Sequence, residues 1–143
     1  MTTNGSILVA VDGSHCSERA TIYAAGLAKA VPGAVVHLLN VQPSVGSLVT
    51  TFVSKADVDS YHREEGAKAL ASAVKICAEA GVVCEQHIGV GRPGEIIARF
   101  ARKLEVRAVV SGTRGHGGVV GVLLGSVAQD ILAHVDVPIT FVK

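Results

Sequence analysis

Ala108-Val109-Val110-Ser111-Gly112-Thr113-Arg114-Gly115, nine further residues, and then Gly125-Ser126-Val127-Ala128-Gln129-Asp130-Ile131-Leu132-Ala133-His134 form the stretch that decides the fold. A short apolar run leads into glycines, and a helix-like run leads away from them. Glycine reaches φ > 0 and lets a ligand come close to the backbone. A helix start presents unpaired N–H groups at the positive end of its dipole. Strand, glycine loop and helix together can surround a phosphate. The stretch is not a P-loop, because no Gly-Lys-Ser/Thr follows, and no Gly-x-Gly-x-x-Gly stands after the first strand.

Working outward, the same alternation recurs along the chain. Ile7-Leu8-Val9-Ala10-Val11 reads as a buried strand ending at the turn Asp12-Gly13-Ser14. Either Ser14 or Asp12 can cap the helix expected over residues 16–30, which Pro32-Gly33 stops. Residues 34–41 are the second strand. Residues 42–56 mix Ser, Gly and Pro with apolar residues and are expected to form a long loop. A helix over 57–80 ends at Gly81, and residues 82–88 are the third strand. A turn over 89–93, a helix over 94–104, a strand over 107–111, a helix over 125–134 and a strand over 138–142 complete the chain. Strands alternating with helices predict one α/β domain over residues 1–143, with right-handed crossovers and a mostly parallel sheet. Ligands bind such sheets at the carboxyl ends of strands, where the winding reverses, and Asp12, Val41 and Gly112 all fall there.

Composition narrows the function. With 49% hydrophobic residues, the 143-residue chain has ample material for one core, yet no apolar run is long enough to span a bilayer. No basic region precedes Ile7, so no signal peptide is read and the cytoplasm is the expected location. A net charge of +1, 3% aromatics and no Trp disfavour a nucleic-acid surface. Cys16, Cys77 and Cys84 show no metal or redox spacing and read as buried small hydrophobes. His15, His37, His62, His87 and His134 likewise show no metal spacing and read as structural or surface residues.

The spacing Gly-x2-Gly-x9-Gly-Ser resembles the ATP-binding branch of the universal stress protein family. Three other segments fit in order: Ile7 to Ser14, Asn40-Val41, and Gly91-Arg92-Pro93-Gly94-Glu95-Ile96-Ile97. The resemblance implies a doubly wound, adenine nucleotide alpha hydrolase-like α/β/α fold with strand order 3-2-1-4-5. It places Asp12 and the Val41 backbone beside an adenine, with Ala10 and Val11 lining that wall. Gly112 and Gly115 then approach the ribose and α-phosphate, while Gly125, Ser126 and the Val127 amide hold the outer phosphates. A Mg²⁺ or Mn²⁺ ion bridging those phosphates, without a dedicated protein cage, is implied as well. So is a homodimer through the apolar C-terminal edge strand, residues 137–142, with Val137, Ile139, Phe141 and Val142. Two positions depart from the family pattern: Arg107 replaces the usual Asp, with a surface effect expected, and Ser111 replaces a larger apolar residue in the base or ribose wall.

Plainer readings stand beside these. Gly112 and Gly115 can be turn glycines, with Gly117, Gly118 and Gly121 loosening the loop further. Ser126, with Gln129 three residues on, reads as a capping box, a role compatible with phosphate binding. Arg114 and His116 are within the loop and can meet a phosphate or water, and Arg114 is kept among the binding candidates. Phosphoryl chemistry needs a placed base and a stabilising cation. No P-loop lysine is present and Asp12 belongs to the adenine end, so the chain is expected to hold ATP as a regulatory stress-response protein and not to act as an enzyme. Slow ATP hydrolysis or autophosphorylation, and a nucleotide-free dimeric interaction module, are the competing readings.

Overall fold

A computed structural model of the chain describes residues 5–116 and 123–143. Its elements are β1 (Ile7–Ala10), α1 (His15–Lys29), β2 (Val35–Gln42), α2 (Ser47–Phe52), α3 (Lys55–Ala80), β3 (Val83–Val90), α4 (Pro93–Lys103), β4 (Ala108–Gly112), α5 (Ser126–His134) and β5 (Ile139–Val142). The sheet order is β3-β2-β1-β4-β5 and all four strand pairings are parallel. The expected order is found, and the sheet is parallel throughout.

Side chains of β1 alternate between two cores, as strand periodicity requires. Ile7 and Val9 face α1 and α3, packing with Ala20, Ala24, Leu70, Ala73 and Cys77. Leu8 faces the other layer, with Leu39, Val109, Ile97 and Ala101, and with Ile131 of α5. A sheet covered on both faces needs apolar side chains on both, which accounts for runs such as Ile7-Leu8-Val9. Leu8, Leu38, Leu70 and Ile97 are 0–1% exposed, each contributing about 1.5–3 kcal/mol of burial.

Local chemistry sets the element ends. Gly13 has φ 84°, which turns the chain from β1 into α1. Ser14 caps α1, its hydroxyl accepting from the Ser17 amide at 3.2 Å. Ser54 caps α3 in the same way through the Asp57 amide at 3.1 Å, and Gly81 ends that helix in the left-handed region.

Two sequence expectations are corrected. Residues 42–56 are not one long loop: β2 runs to Gln42, α2 occupies Ser47–Phe52, and α3 already begins at Lys55. α2 buries no residue, and Leu48 and Phe52 are exposed, so no apolar periodicity marks it. The turn expected at 89–93 is shorter, because β3 continues through Gly89 to Val90. Gly89 pairs with Val41 in the ladder, and a side chain there would strike Ile96 of α4. This glycine is a close-packing position within a strand, not a turn. Gly117, Gly118 and Gly121 of the expected loop lie outside the described residues.

Candidate functional site

A cavity of about 480 Å³ opens at the carboxyl ends of β1, β2 and β4, within the range of small-molecule sites. It lies where the chain, having wound from β1 outward to β3, returns to the other side of β1 as β4. All ten residues singled out in the sequence line it: Ala10, Val11, Asp12, Val41, Gly112, Arg114, Gly115, Gly125, Ser126 and Val127.

One wall is the margin between β1 and β2. Pairing of these strands ends at Ala10 opposite Leu39, while β2 stays paired to β3 as far as Gln42 opposite Val90. Backbone of residues 40–42 on the β1 side is therefore without a ladder partner. Just beyond the ladder, the Val11 amide donates to the Leu39 carbonyl at 2.8 Å, and the Asn40 side-chain amide donates to the Val11 carbonyl at 2.8 Å. Gln42 donates to Asn40 Oδ1 at 2.6 Å and fixes that amide's orientation.

Asp12 does not cap α1, since Ser14 does. Asp12 Oδ1 instead accepts from the Ser14 amide at 2.9 Å, holding the turn. His116 Nε2 donates to the Asp12 carbonyl at 2.7 Å, so that nitrogen carries the hydrogen and the loop is tied to β1. A Cβ on Gly115 would lie 2.5 Å from Asp12 Oδ2, and one on Gly112 would lie 2.7 Å from Cys16 Sγ. Gly112 is required by contact, since Cys16 Cβ and backbone also lie within 3.1 Å, whereas at Gly115 the Asp12 carboxylate would have to shift.

The opposite wall explains why the two glycine groups can stand so far apart in sequence. The Thr113 amide donates to Val142 of β5 at 2.9 Å, and the Gly125 amide donates to the Thr113 carbonyl at 2.7 Å. The second bond closes the loop at its base and sets Gly112 to Gly115 beside the start of α5. Gly125 is the N-cap of α5 and provides no side-chain cap. The amides of Ser126, Val127 and Ala128, in the first turn, have no intrahelical acceptor. All three residues line the cavity, and the exposed Arg114 stands beside them.

The expected capping box is not formed. Ser126 is the first helical residue, one position too late to cap, and Gln129 turns its side-chain amide to the Leu124 carbonyl at 3.0 Å. Ser111 lines the cavity with its hydroxyl donating to the Gly112 carbonyl at 3.0 Å. Arg107 is exposed and outside the lining.

Pro93 and Ile97 at the start of α4, and Ser17 of α1, also line the cavity and were not singled out in the sequence. α4 is brought there by Asp130 of α5, whose Oδ2 accepts from the Gly94 amide at 2.7 Å. A carboxylate thus caps α4 from outside its own sequence, where Arg92 at its N-cap makes no capping hydrogen bond. Behind the glycine loop, Cys16 Sγ donates to the Val142 carbonyl at 3.1 Å. Burial pushes this thiol up, but the Arg114 and Thr113 amides, the Thr113 hydroxyl and the Arg19 charge outweigh burial and leave it below the ordinary value.

Among the described residues, no three His, Cys, Asp or Glu side chains converge on the cavity as metal ligands. The group with that geometry is elsewhere in the sheet: His37, Glu85 and His87. Burial is the largest effect on both imidazoles and lowers both pKa values, with Glu85 opposing it. Sequence spacing does not show this group, because its members come from two different strands.

A fully parallel, doubly wound sheet with a glycine loop and an uncapped helix start at its switch point defines the class. The chain belongs to the universal stress protein family, whose profile matches residues 3–143. It is 32% identical over 139 residues to a universal stress protein of Methanocaldococcus jannaschii, covering 96% of this chain and 81% of the relative. The universal stress protein from Archaeoglobus fulgidus in complex with dAMP is 26% identical, with a TM-score of 0.74 over 99% of this chain and 100% of that one. A hypothetical protein whose biochemical function was assigned from its structure has the same fold at 24% identity, with a TM-score of 0.82 over 99% of this chain and 97% of that one. Among the described residues, no helix is long and apolar enough to cross a membrane.

Proposed function

We propose that the chain binds ATP in this cavity as a regulatory stress-response protein, with slow or no turnover. The observation that carries the reading is the hydrogen bond from Gly125 to Thr113, which sets the glycine loop beside the free first-turn amides of α5. Such amides and the helix dipole favour an anion. The β1–β2 margin at Val11 and Val41 supplies a flat, partly unpaired backbone edge for a base. The dAMP complex of the Archaeoglobus protein supports an adenine nucleotide. Three glycines at the phosphate end, Gly112, Gly115 and Gly125, favour the triphosphate. Mg²⁺ or Mn²⁺ would be held by the phosphates and water. Turnover is expected to be slow because Asp12, the one carboxylate among the described lining residues, is held by the Ser14 amide. The half-buried edge strand β5 is the proposed homodimer surface, and the cytoplasm the proposed location.

Calorimetric titration of nucleotide-stripped protein tests the reading. Saturable binding of ATP with Mg²⁺, tighter than AMP, is expected. No heat with any adenine nucleotide would replace it with a nucleotide-free interaction module, and steady phosphate release would replace it with an ATPase.

A further inference from the structure

We propose that His37, Glu85 and His87 form a binding site for one divalent transition-metal ion of the Zn²⁺ type, separate from the nucleotide cavity. None of the three residues lines that cavity, so the proposal is independent of the ATP reading.

The site follows from strand geometry. Glu85 and His87 are two residues apart on β3 and therefore project from the same face. His37 on β2 is the ladder partner of Glu85. The parallel register thus delivers two imidazoles and a carboxylate to one spot on a rigid sheet, where little rearrangement is needed to bind.

The distances suit a metal. His37 Nδ1 lies 3.0 Å from His87 Nε2 and 3.2 Å from Glu85 Oε2, and the last two atoms are 4.0 Å apart. Zn²⁺ binds imidazole nitrogen and carboxylate oxygen at about 2.0–2.2 Å, so tetrahedral ligands stand about 3.3–3.6 Å from one another. The observed separations bracket that value. Hydrogen bonding within the cluster is shared at a single atom. His37 Nδ1 has either one N–H or one lone pair in the ring plane, and it faces two partners at bonding distance. A cation at the centre serves all three atoms at once.

The surroundings hold this arrangement. His37 is 6% exposed. The His87 ring packs on Phe100 of α4, with centroids 5.5 Å apart. Glu85 is 57% exposed on its side chain, leaving an open side where water completes the coordination. Two imidazoles and one carboxylate favour Zn²⁺, Co²⁺ or Ni²⁺ over Mg²⁺, which prefers an all-oxygen octahedron. The Lys103 ammonium, 6.0 Å from the Phe100 centroid, is the nearby charge that opposes a cation.

The test uses the full chain, treated with chelator and free of nucleotide, titrated with Zn²⁺ by calorimetry and with Co²⁺ by visible absorption. One equivalent is expected to bind, excess Mg²⁺ does not displace it, and Zn²⁺ raises the melting temperature. Changing a residue that only orients a ligand already weakens metal sites by about 10–100-fold, so His87→Asn and Glu85→Gln, which remove ligands, are each expected to cost about tenfold or more in affinity. Both positions have exposed side-chain surface, so these variants are expected to fold, and circular dichroism checks that they do. Replacing Cys16, Cys77 and Cys84 together with Ser leaves binding unchanged. Stoichiometric binding that survives both site substitutions, or that is lost with the cysteines, overturns the proposal. So does the absence of saturable binding below about 1 mM.

Discussion

Replacing Gly94 with alanine probes the contact that positions α4 over the cavity. A Cβ at this position would strike the Asp130 carbonyl and come within 2.6 Å of Asp130 Cγ. The first of these neighbours is backbone, so α4 and α5 must separate. Overpacking of this kind costs about 1–3 kcal/mol. Separation also stretches the 2.7 Å bond from the Gly94 amide to Asp130 Oδ2, a charged hydrogen bond worth about 1.5–3 kcal/mol. The gain in helix propensity returns at most about 1 kcal/mol. The net loss is about 2–4 kcal/mol, or roughly 6–12 °C in melting temperature for a domain of this size. Gly26→Ala in α1 is the matched control, because Gly26 is exposed in mid-helix with nothing within 4 Å of a new Cβ. The same substitution there should stabilise by about 0.5–1 kcal/mol. Thermal denaturation followed by circular dichroism reads both. Gly94→Ala melting within about 2 °C of the parent chain, or Gly26→Ala falling as far as Gly94→Ala, would refute the reasoning.

Three further outcomes are expected. Gly115→Ala places a methyl against Asp12 Oδ2 in an exposed loop, so ATP affinity should fall about tenfold, or about 1.4 kcal/mol, with the melting temperature unchanged; unaltered affinity by calorimetry contradicts the site. The Cys77 thiol is pushed up to about 12, by burial first and then by Cys84, so in native protein at pH 8 it should resist a thiol reagent that labels it after unfolding. The sign of the linkage follows: a raised thiol pKa contributes stability that is complete below the ordinary 9.0 and lost as pH rises toward 12, so Cys77→Ala should flatten the alkaline fall in stability, and an unchanged slope would contradict this. Sedimentation equilibrium at micromolar concentration should give twice the 14.6 kDa of one chain, and a monomer mass would remove β5 as the dimer surface.

The sheet was legible where its strands are short apolar runs closed by chain-breaking residues, as at Ile7 to Asp12. The strand order and the ten cavity residues came from the glycine spacing and the family resemblance, since residues at strand carboxyl ends meet once the order is known. Other features depend on contacts that no local pattern encodes. α2 shows no apolar periodicity because it buries nothing. Pro93 and Ile97 reach the cavity through tertiary contacts: Ile97 packs with Leu8, Leu39 and Ile131, and Asp130 of α5 binds the Gly94 amide. Ser126 has the composition of a cap, but the bond between Gly125 and Thr113 makes the preceding glycine the N-cap. His37 meets Glu85 and His87 through β2–β3 register, which sequence spacing does not display.

Whether the cavity holds ATP is decided by what the purified protein releases on denaturation. Ion-exchange chromatography of the supernatant should show ATP approaching one equivalent per chain, with stripped protein taking up ATP and Mg²⁺ again. Protein that releases no nucleotide, and shows no heat when ATP and Mg²⁺ are added, would contradict the assignment.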